Sequence, residues 1–334
     1  MSDRNRGLDG VRGFAALSVA LGHCFLIATG LPLWSSTAFD FPRMAAPEIG
    51  YRLLSLTCPA DAAVMVFFVL SGHVLWRSIA RKDLHWPDLG DYVLSRIWRL
   101  FPVIVPATLL MAWLVPTSTV TLFSNLVLLR TDILGVTWSL QVEMVGSLAV
   151  AAVWLCGHGA PRSMLLGLLF TMALVPLARG TLLVFMPAFA LGGAISLVPL
   201  PIWKSRWVLW TGILVLLLSN LFLSHGGLDR CFEMVAAFAI VGCIGARPMR
   251  LFDSLPAQFL GAISYPFYLI HPFALVTAGR ILAPLLPSSP MATFGLYAAA
   301  SLAVAVPLAW VIHETVEQPA MRWRRQSKAL PSKA

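Results

Sequence analysis

The sequence predicts an all-α, polytopic membrane protein, and three features of its composition support this fold class. Hydrophobic residues make up 58% of the 334 residues and charged residues only 12%, whereas a soluble domain carries about 25% charged residues because its surface faces water. The 12 Trp and 19 Phe exclude a disordered chain. The 5 Cys form no CxxC pair and no Cys/His ligand spacing, which excludes a disulfide scaffold and predicts no metal site.

Apolar segments separated by charged or turn-forming residues predict about ten transmembrane helices. A helix needs roughly 20 apolar residues to cross a bilayer. The segments that reach or approach this length lie at 11–31, 61–80, 92–115, 138–156, 163–178, 181–198, 207–224, 231–246, 258–280 and 292–313. We expect one membrane domain over residues 1–320, followed by a basic, disordered cytoplasmic tail over residues 321–334.

The distribution of Lys and Arg predicts that both termini are cytoplasmic, since cytoplasmic segments carry the excess of these residues. With ten crossings and the N-terminus inside, 18 of the 24 Lys and Arg fall on the cytoplasmic side. The other six are Arg43, Arg52, Arg130, Arg179, Arg230 and Arg280. The net charge of +9 therefore indicates a lipid bilayer with anionic headgroups as the partner and requires no nucleic acid. We expect a multi-pass protein of the bacterial cytoplasmic membrane.

The first predicted helix carries Arg12 and His23 on one face. They are 11 residues apart, which corresponds to about 1100°, or three turns plus about 20°, and to an axial separation of about 16 Å. Two polar groups on one stripe of an apolar helix indicate the wall of a polar channel, because ionisable side chains are costly in hydrocarbon. The alternative is structural: Arg12 reaches lipid headgroups and His23 bonds to a neighbouring helix.

The third predicted helix begins with Arg96 and Arg99, which are neighbours on one helix face at the cytoplasmic end. Two adjacent guanidinium groups suit a phosphate, which each can bind through two hydrogen bonds. The alternative is an ordinary basic flank of a membrane helix.

The fourth predicted helix opens with Trp138 and Ser139 and carries Glu143 one to two turns further on. With the first helix starting at the opposite face, His23 and Glu143 both lie toward the outer half of the bilayer. A carboxylate there can orient a histidine that acts as a base, or stabilise its charged form. The alternative is a buried glutamate with a purely structural hydrogen bond.

Two further helices carry polar residues near mid-membrane. The second contains Ser71, Gly72 and His73, of which the serine and glycine also suit close helix packing. The ninth contains Tyr265 and His271, the latter being another intramembrane ionisable group. Pro266 and Pro272 interrupt the backbone hydrogen bonds of the ninth helix and leave two carbonyl groups without a donor. In a membrane this is tolerated where neighbouring protein groups or a cavity can satisfy those carbonyls.

These residues, taken in order, resemble the acyltransferase 3 family of integral membrane O-acyltransferases. The pattern consists of Arg12 and His23 followed by residues 67–72 (FFVLSG), 96–102 (RIWRLFP), 138–143 (WSLQVE) and 263–271 (ISYPFYLIH). Each motif alone is weak, but five in order on a ten-helix frame are specific. The resemblance extends from Leu8 to about Pro319.

The resemblance implies an enzyme that moves an acyl group, usually acetyl, from cytoplasmic acyl-CoA to a hydroxyl of a carbohydrate, a glycolipid or a similar acceptor. It implies that Arg12 and His23 are essential and that Arg96 and Arg99 bind the CoA phosphates. Acyl-CoA is then a co-substrate, with no bound cofactor. The oligomeric state is not predicted.

The chain departs from the family pattern in two respects. The residue after Gly72 is usually aromatic in the family and is His73 here. No hydrolase-like soluble domain of the kind that some members carry is present in these residues. We therefore expect a stand-alone member that modifies a lipid-linked or small acceptor directly.

The predicted mechanism assigns one role to each group. His23 is the general base on the acceptor hydroxyl and Glu143 supports it, while Ser71, Trp138 and Ser139 line the acyl passage. An acyl-enzyme on Ser71 or His23 remains an open alternative. A second reading is a transporter or flippase of a lipid-linked saccharide, which would require corresponding broken helices in two halves, and no such pair is found. A silent membrane scaffold is disfavoured by the three polar groups His23, Glu143 and His271.

Overall fold

The structure is a computed structural model that describes residues 5–31, 45–177, 182–223 and 229–329, and the regular elements in these ranges are helical, with no strand. The predicted all-α fold class is confirmed. The helices are α1 Arg6–Thr29, α2 Ala46–Ser55, α3 Ala60–Lys82, α4 Leu89–Leu114, α5 Thr119–Leu126, α6 Trp138–Cys156, α7 Pro161–Leu174, α8 Met186–Ala194, α9 Leu200–Trp203, α10 Arg206–Phe222, α11 Asp229–Ala246, α12 Arg250–Asp253, α13 Leu255–Leu282, α14 Pro290–Ile312 and α15 Gln318–Ala329.

Each of the ten predicted segments coincides with a helix, although their lengths differ from the prediction. Among the described residues, six helical stretches are long and apolar enough to cross a membrane. Three shorter apolar stretches, Pro161–Leu174, Leu182–Leu197 and Arg206–Phe222, lie in the predicted fifth, sixth and seventh segments. The chain is therefore a multi-pass membrane protein by composition and helix length, while ten crossings and cytoplasmic termini stay predictions.

The helices group into two compact units, each of which is formed by two separate segments of the chain. Unit 1 comprises Met1–Leu89 and Val142–Gly261, and unit 2 comprises Gly90–Gln141 and Ala262–Ala334. In unit 1, α3 packs against α1, α8 and α11. This central position explains why α3 is apolar on nearly every face.

Helices α3 and α8 approach each other so closely that their backbones touch. A Cβ added at Gly72 would collide with the backbone of Phe189, and one added at Gly192 would collide with the carbonyl of Val69. Only residues without a side chain allow this separation. The glycine of the predicted FFVLSG motif therefore has a packing role, as small residues have in membrane helix pairs.

In unit 2, hydrogen bonds connect α13 to α4 at two levels. The hydroxyl of Tyr265 donates to the carbonyl of Leu100 at 2.6 Å, and the guanidinium of Arg280 donates to the carbonyl of Leu114. Helix α13 is continuous through Pro266 and Pro272.

The end of the chain is helical where we expected disorder. Helix α14 passes into a π-helical turn at His313–Glu317 and then directly into α15. The expectation of a disordered tail is corrected for residues 321–329, while residues 330–334 lie outside the described part. The turn is stabilised by Nδ1 of His313, which lies 2.7 Å from a carboxylate oxygen of Glu317.

Candidate functional site

The first helix presents Arg12 and His23 as the sequence predicted. Helix α1 starts after Asn5, whose side chain accepts a hydrogen bond from the backbone N–H of Leu8, which satisfies one of the amides that a helix start leaves unpaired. It ends at Gly30, which has a left-handed φ of 70° that suits glycine. Because α1 runs without interruption between these caps, the 11-residue spacing keeps Arg12 and His23 on one face, about 16 Å apart along the axis.

The imidazole of His23 is oriented by the backbone of its own helix. Its Nδ1 lies 2.8 Å from the carbonyl oxygen of Val19, and because a carbonyl can only accept, the hydrogen is on Nδ1. In the neutral ring the lone pair is then on Nε2, the atom that takes up a proton when histidine acts as a base. The side chain is half-buried, so the ring is positioned in protein surroundings.

Arg12 lies against an acidic residue that the sequence analysis did not select. A carboxylate oxygen of Asp9 is 3.8 Å from the Arg12 guanidinium, and the side-chain exposures are 8% and 21%, respectively. The same turn of α1 lies in close contact with the start of α13, because a Cβ added at Gly13 would lie 2.6 Å from the backbone nitrogen of Gly261. The i,i+3 spacing of Asp9 and Arg12 is the signal in the sequence that could have identified this pair.

Glu143 lies beside Ser71, which joins two of the predicted site residues. The hydroxyl of Ser71 donates to a carboxylate oxygen of Glu143 at 3.5 Å, which is at the outer limit for a hydrogen bond. Both side chains are half-buried. The contact connects α3 and α6 within unit 1, and the predicted support of His23 by Glu143 stays a prediction.

His73, the departure from the family pattern, faces the close contact between α3 and α8. Its side chain is buried, with 7% exposure, and its Nδ1 has no hydrogen-bond partner among the residues that the structure describes. An added Cβ at Gly192 would lie 2.7 Å from the backbone nitrogen of His73. The backbone of α3 at His73 is therefore in direct contact with α8.

In unit 2, the arginine pair lies in the first half of α4. Arg96 stacks over the ring of Tyr92, with 5.5 Å between its guanidinium carbon and the ring centre, a cation–π distance. Arg99 is half-buried and precedes Leu100, whose carbonyl accepts the hydrogen bond from Tyr265. The predicted site residue Tyr265 thus fixes the turn of α4 that carries Arg99.

Ser139 forms a buried hydroxyl pair with a residue that the sequence analysis did not select. Its Oγ lies 2.9 Å from the hydroxyl of Tyr268 and donates to the carbonyl of Val136 at 2.9 Å. Tyr268 is one turn beyond Ser264 on α13, so its position in the ISYPFYLIH motif is the available signal. Trp138, the preceding residue, is half-buried.

His271 is buried, with 2% exposure, and its Nδ1 donates to the carbonyl of Tyr268 at 2.8 Å. Its ring also lies beside those of Phe267 and Tyr268, with centroid separations of 6.4 and 5.8 Å. These contacts place His271 in a packed part of unit 2.

A buried charge cluster in unit 1 was also missed. The Arg230 guanidinium donates to Asp61 at 2.9 Å, lies 3.7 Å from Glu233 and stacks over the ring of Phe185 at 5.2 Å. Arg230 was expected only as a charge in an external segment, and no local signal marks Asp61, 169 residues away, as its partner. The described residues contain no group of three or more His, Cys, Asp or Glu that could hold a metal ion.

Comparison with known proteins supplies the family. A family model described as an acyltransferase domain, that of the acyltransferase 3 family, matches residues 5–312. No curated protein and no solved structure matches the chain. The match covers nearly the whole chain and includes both units, with each of the motifs on which the resemblance rested. The chain therefore belongs to the acyltransferase 3 family and is a membrane acyltransferase.

Proposed function

We propose that this acyltransferase moves an acyl group, by default acetyl, from cytoplasmic acyl-CoA to a hydroxyl of a carbohydrate or glycolipid acceptor in the bacterial cytoplasmic membrane. The observation that carries the proposal is which ring nitrogen of His23 bears the hydrogen. Its Nδ1 hydrogen is engaged by Val19, which assigns the lone pair to Nε2 on the apolar helix that also carries Arg12. A membrane helix rarely retains such a group without a function.

His23 is the general base in this proposal. Its Nε2 takes the proton of the acceptor hydroxyl while the hydroxyl oxygen attacks the thioester carbonyl. The tetrahedral intermediate then collapses, the carbon–sulfur bond breaks, and the proton passes from Nε2 to the leaving sulfur. The products are the O-acyl ester and free CoA, and no other reactant is consumed. Glu143 stabilises the imidazolium that forms between the two proton transfers.

Arg96 and Arg99 bind the phosphates of the donor. Their i,i+3 spacing on α4 puts two guanidinium groups on adjacent positions of one helix face, and guanidinium is the side chain best matched to phosphate oxygens. The ring of Tyr92 and the hydrogen bond from Tyr265 to Leu100 hold this part of α4 in place. Ser71, Trp138 and Ser139 are proposed to line the acyl passage.

The test uses purified protein in nanodiscs with acetyl-CoA that is radiolabelled in the acetyl group. Wild type, His23→Ala and the control His85→Ala are compared, the control being a histidine whose side chain is 69% exposed. We expect consumption of acetyl-CoA, and transfer of label to an added acceptor, by wild type and the control but not by His23→Ala. Retention of a near-normal rate by a folded His23→Ala protein would overturn the assignment of the base.

The same experiment addresses the donor and the transporter alternative. Candidate acceptors, from free saccharides to lipid-linked saccharides, are added in turn so that label transfer identifies the acceptor class. If wild type neither binds CoA nor consumes acetyl-CoA with any acceptor, the acyl-CoA donor is wrong and transport of a lipid-linked saccharide becomes the reading to test.

A further inference from the structure

Helix α15 lies beyond the residues that the family model matches, which end at residue 312, yet it is packed into unit 2. It continues α14 through the π-helical turn. The rings of Trp98 and Trp323 are 4.7 Å apart, and the guanidinium of Arg324 donates to the backbone carbonyl of Asp91 at 2.7 Å. These two contacts, made by consecutive residues of α15, hold it along the first half of α4.

This packing brings Arg322 and Arg324, which flank Trp323 in the sequence, to the part of α4 that carries Arg99. Asp91 and Trp98 are seven residues apart, so both lie on the face of α4 that α15 contacts, within about 20° of each other. Arg99 is the next residue and lies about 100° around the helix from Trp98. It therefore borders the contact with α15, at the same level along the axis as the tryptophan pair.

The hydrogen bonds of Arg322 and Arg324 in the described residues go to uncharged acceptors. Arg322 bonds to the side-chain oxygen of Gln318 and Arg324 to a backbone carbonyl. In the part of the chain that the structure describes, neither these two nor Arg99 forms an ion pair with a carboxylate. Arg324 reaches the level of Asp91 and Arg99 lies eight residues further along α4, about 12 Å away. Positive charges spread over this length suit a ligand that carries negative charges at more than one point.

We propose that α15 completes the donor site: Arg322 and Arg324 bind phosphates of the nucleotide end of acyl-CoA together with Arg99. This inference rests on the proposed function, since it deepens the site of the acyl-CoA donor. Trp323 is 56% exposed and lies between Arg322 and Arg324 in the sequence, so its ring is proposed as the aromatic surface on which the adenine base stacks. Phosphate is also the chemistry of anionic lipid headgroups, and the experiment separates the two sources.

The experiment measures binding of adenosine 3′,5′-bisphosphate, the nucleotide end of CoA without the pantetheine arm, to the full chain in phosphatidylcholine nanodiscs. The variant is Arg322→Gln/Arg324→Gln. The matched control is Arg162→Gln/Arg206→Gln, which removes two exposed arginines of unit 1. Loss of two charge-assisted contacts is expected to weaken binding by about 10- to 100-fold, with the control unchanged. Titration calorimetry provides the dissociation constants.

Folding and lipid binding are followed separately. Thermal unfolding checks that the variant keeps the wild-type midpoint; if it does not, Arg322→Gln alone is used, because the hydrogen bond of Arg322 lies within α15, and a fivefold or greater loss is expected. Unchanged nucleotide affinity overturns the inference. If that result is accompanied by weaker binding to phosphatidylglycerol vesicles, α15 binds lipid headgroups instead.

Failure of the inference and of the proposed function are distinguishable. If wild type binds acetyl-CoA and the α15 variant binds it equally well, only the inference is wrong. If wild type binds neither acetyl-CoA nor the bisphosphate, the acyl-CoA donor is wrong and the inference falls with it.

Discussion

Nδ1 of His271 donates a hydrogen bond to the carbonyl oxygen of Tyr268 at 2.8 Å, and this oxygen is the one that Pro272 leaves without a helical partner. In an α-helix the N–H of residue 272 would bond to the carbonyl of residue 268, but proline has no N–H. The neighbouring histidine replaces that donor inside a buried part of α13. His271 therefore has a structural function that its intramembrane position alone did not reveal.

This replacement predicts coupling between His271 and Pro272. His271→Ala leaves the buried carbonyl of Tyr268 without this donor and is expected to lower stability by about 1–3 kcal/mol. His271→Ala/Pro272→Ala regains a backbone N–H at the same place, so the double variant is expected to be more stable than His271→Ala alone. Thermal unfolding of the three proteins in one detergent measures the coupling. Additive effects would show that the two residues act independently.

Removal of the buried Arg230 is expected to destabilise unit 1 strongly. Arg230→Ala leaves the carboxylates of Asp61 and Glu233 buried, with side-chain exposures of 7% and 2%, and breaking such a cluster costs about 3–5 kcal/mol. Arg130→Ala is the control, since its ion pair with Asp132 is half-exposed and is expected to contribute about 1 kcal/mol or less. Equal unfolding midpoints for the two variants would contradict the prediction.

The contact of α1 with the start of α13 predicts that Gly13 cannot carry a side chain. A Cβ there would lie 2.6 Å from the nitrogen of Gly261 and 2.7 Å from Cβ of Leu260, so Gly13→Ala forces the backbones apart. Gly90→Ala is the control, because nothing lies within 4 Å of the added atom and alanine favours helices. Size-exclusion chromatography of both variants is expected to show loss of the monodisperse peak for Gly13→Ala alone.

The long contact between Ser71 and Glu143 predicts unequal effects on catalysis. Ser71→Ala removes a hydrogen bond at the limit of distance and is expected to reduce kcat by less than about fivefold, corresponding to about 1 kcal/mol. Glu143→Gln removes the negative charge that stabilises the His23 imidazolium in the proposed mechanism. It is therefore expected to reduce kcat more than Ser71→Ala does. A Ser71→Ala protein as inactive as His23→Ala would instead favour a covalent acyl-enzyme on Ser71.

The helices were predictable because apolar length and charge distribution are local properties of the sequence. The ends of α1, α4 and α13 agree with the predicted segments to within a few residues. The short fifth to seventh segments were also found as helices, but their lengths do not establish crossings. The longest interval between predicted segments, residues 32–60, contains α2, and its residues 32–44 lie outside the described part of the chain.

The relative positions of the candidate site residues could be predicted only where both residues lie on the same helix. The common face of Arg12 and His23 follows from their spacing, and the family match supports that motif. Contacts between distant segments, such as Arg230 with Asp61 or Ser139 with Tyr268, have no local signal. The helical α15 was missed because its charge resembles that of a disordered tail, whereas its order depends on the ring of Trp98, 225 residues earlier.

The backbone contact at Gly72 and Gly192 restricts how unit 1 can move during turnover. Where two helices meet without side chains between them, no layer of side chains can change rotamer to let one helix slide along the other. We therefore expect α3 and α8 to move as one rigid body, so that Ser71, next to Gly72, keeps its position relative to α8. An opening of unit 1 that admits substrate is then expected at other helices.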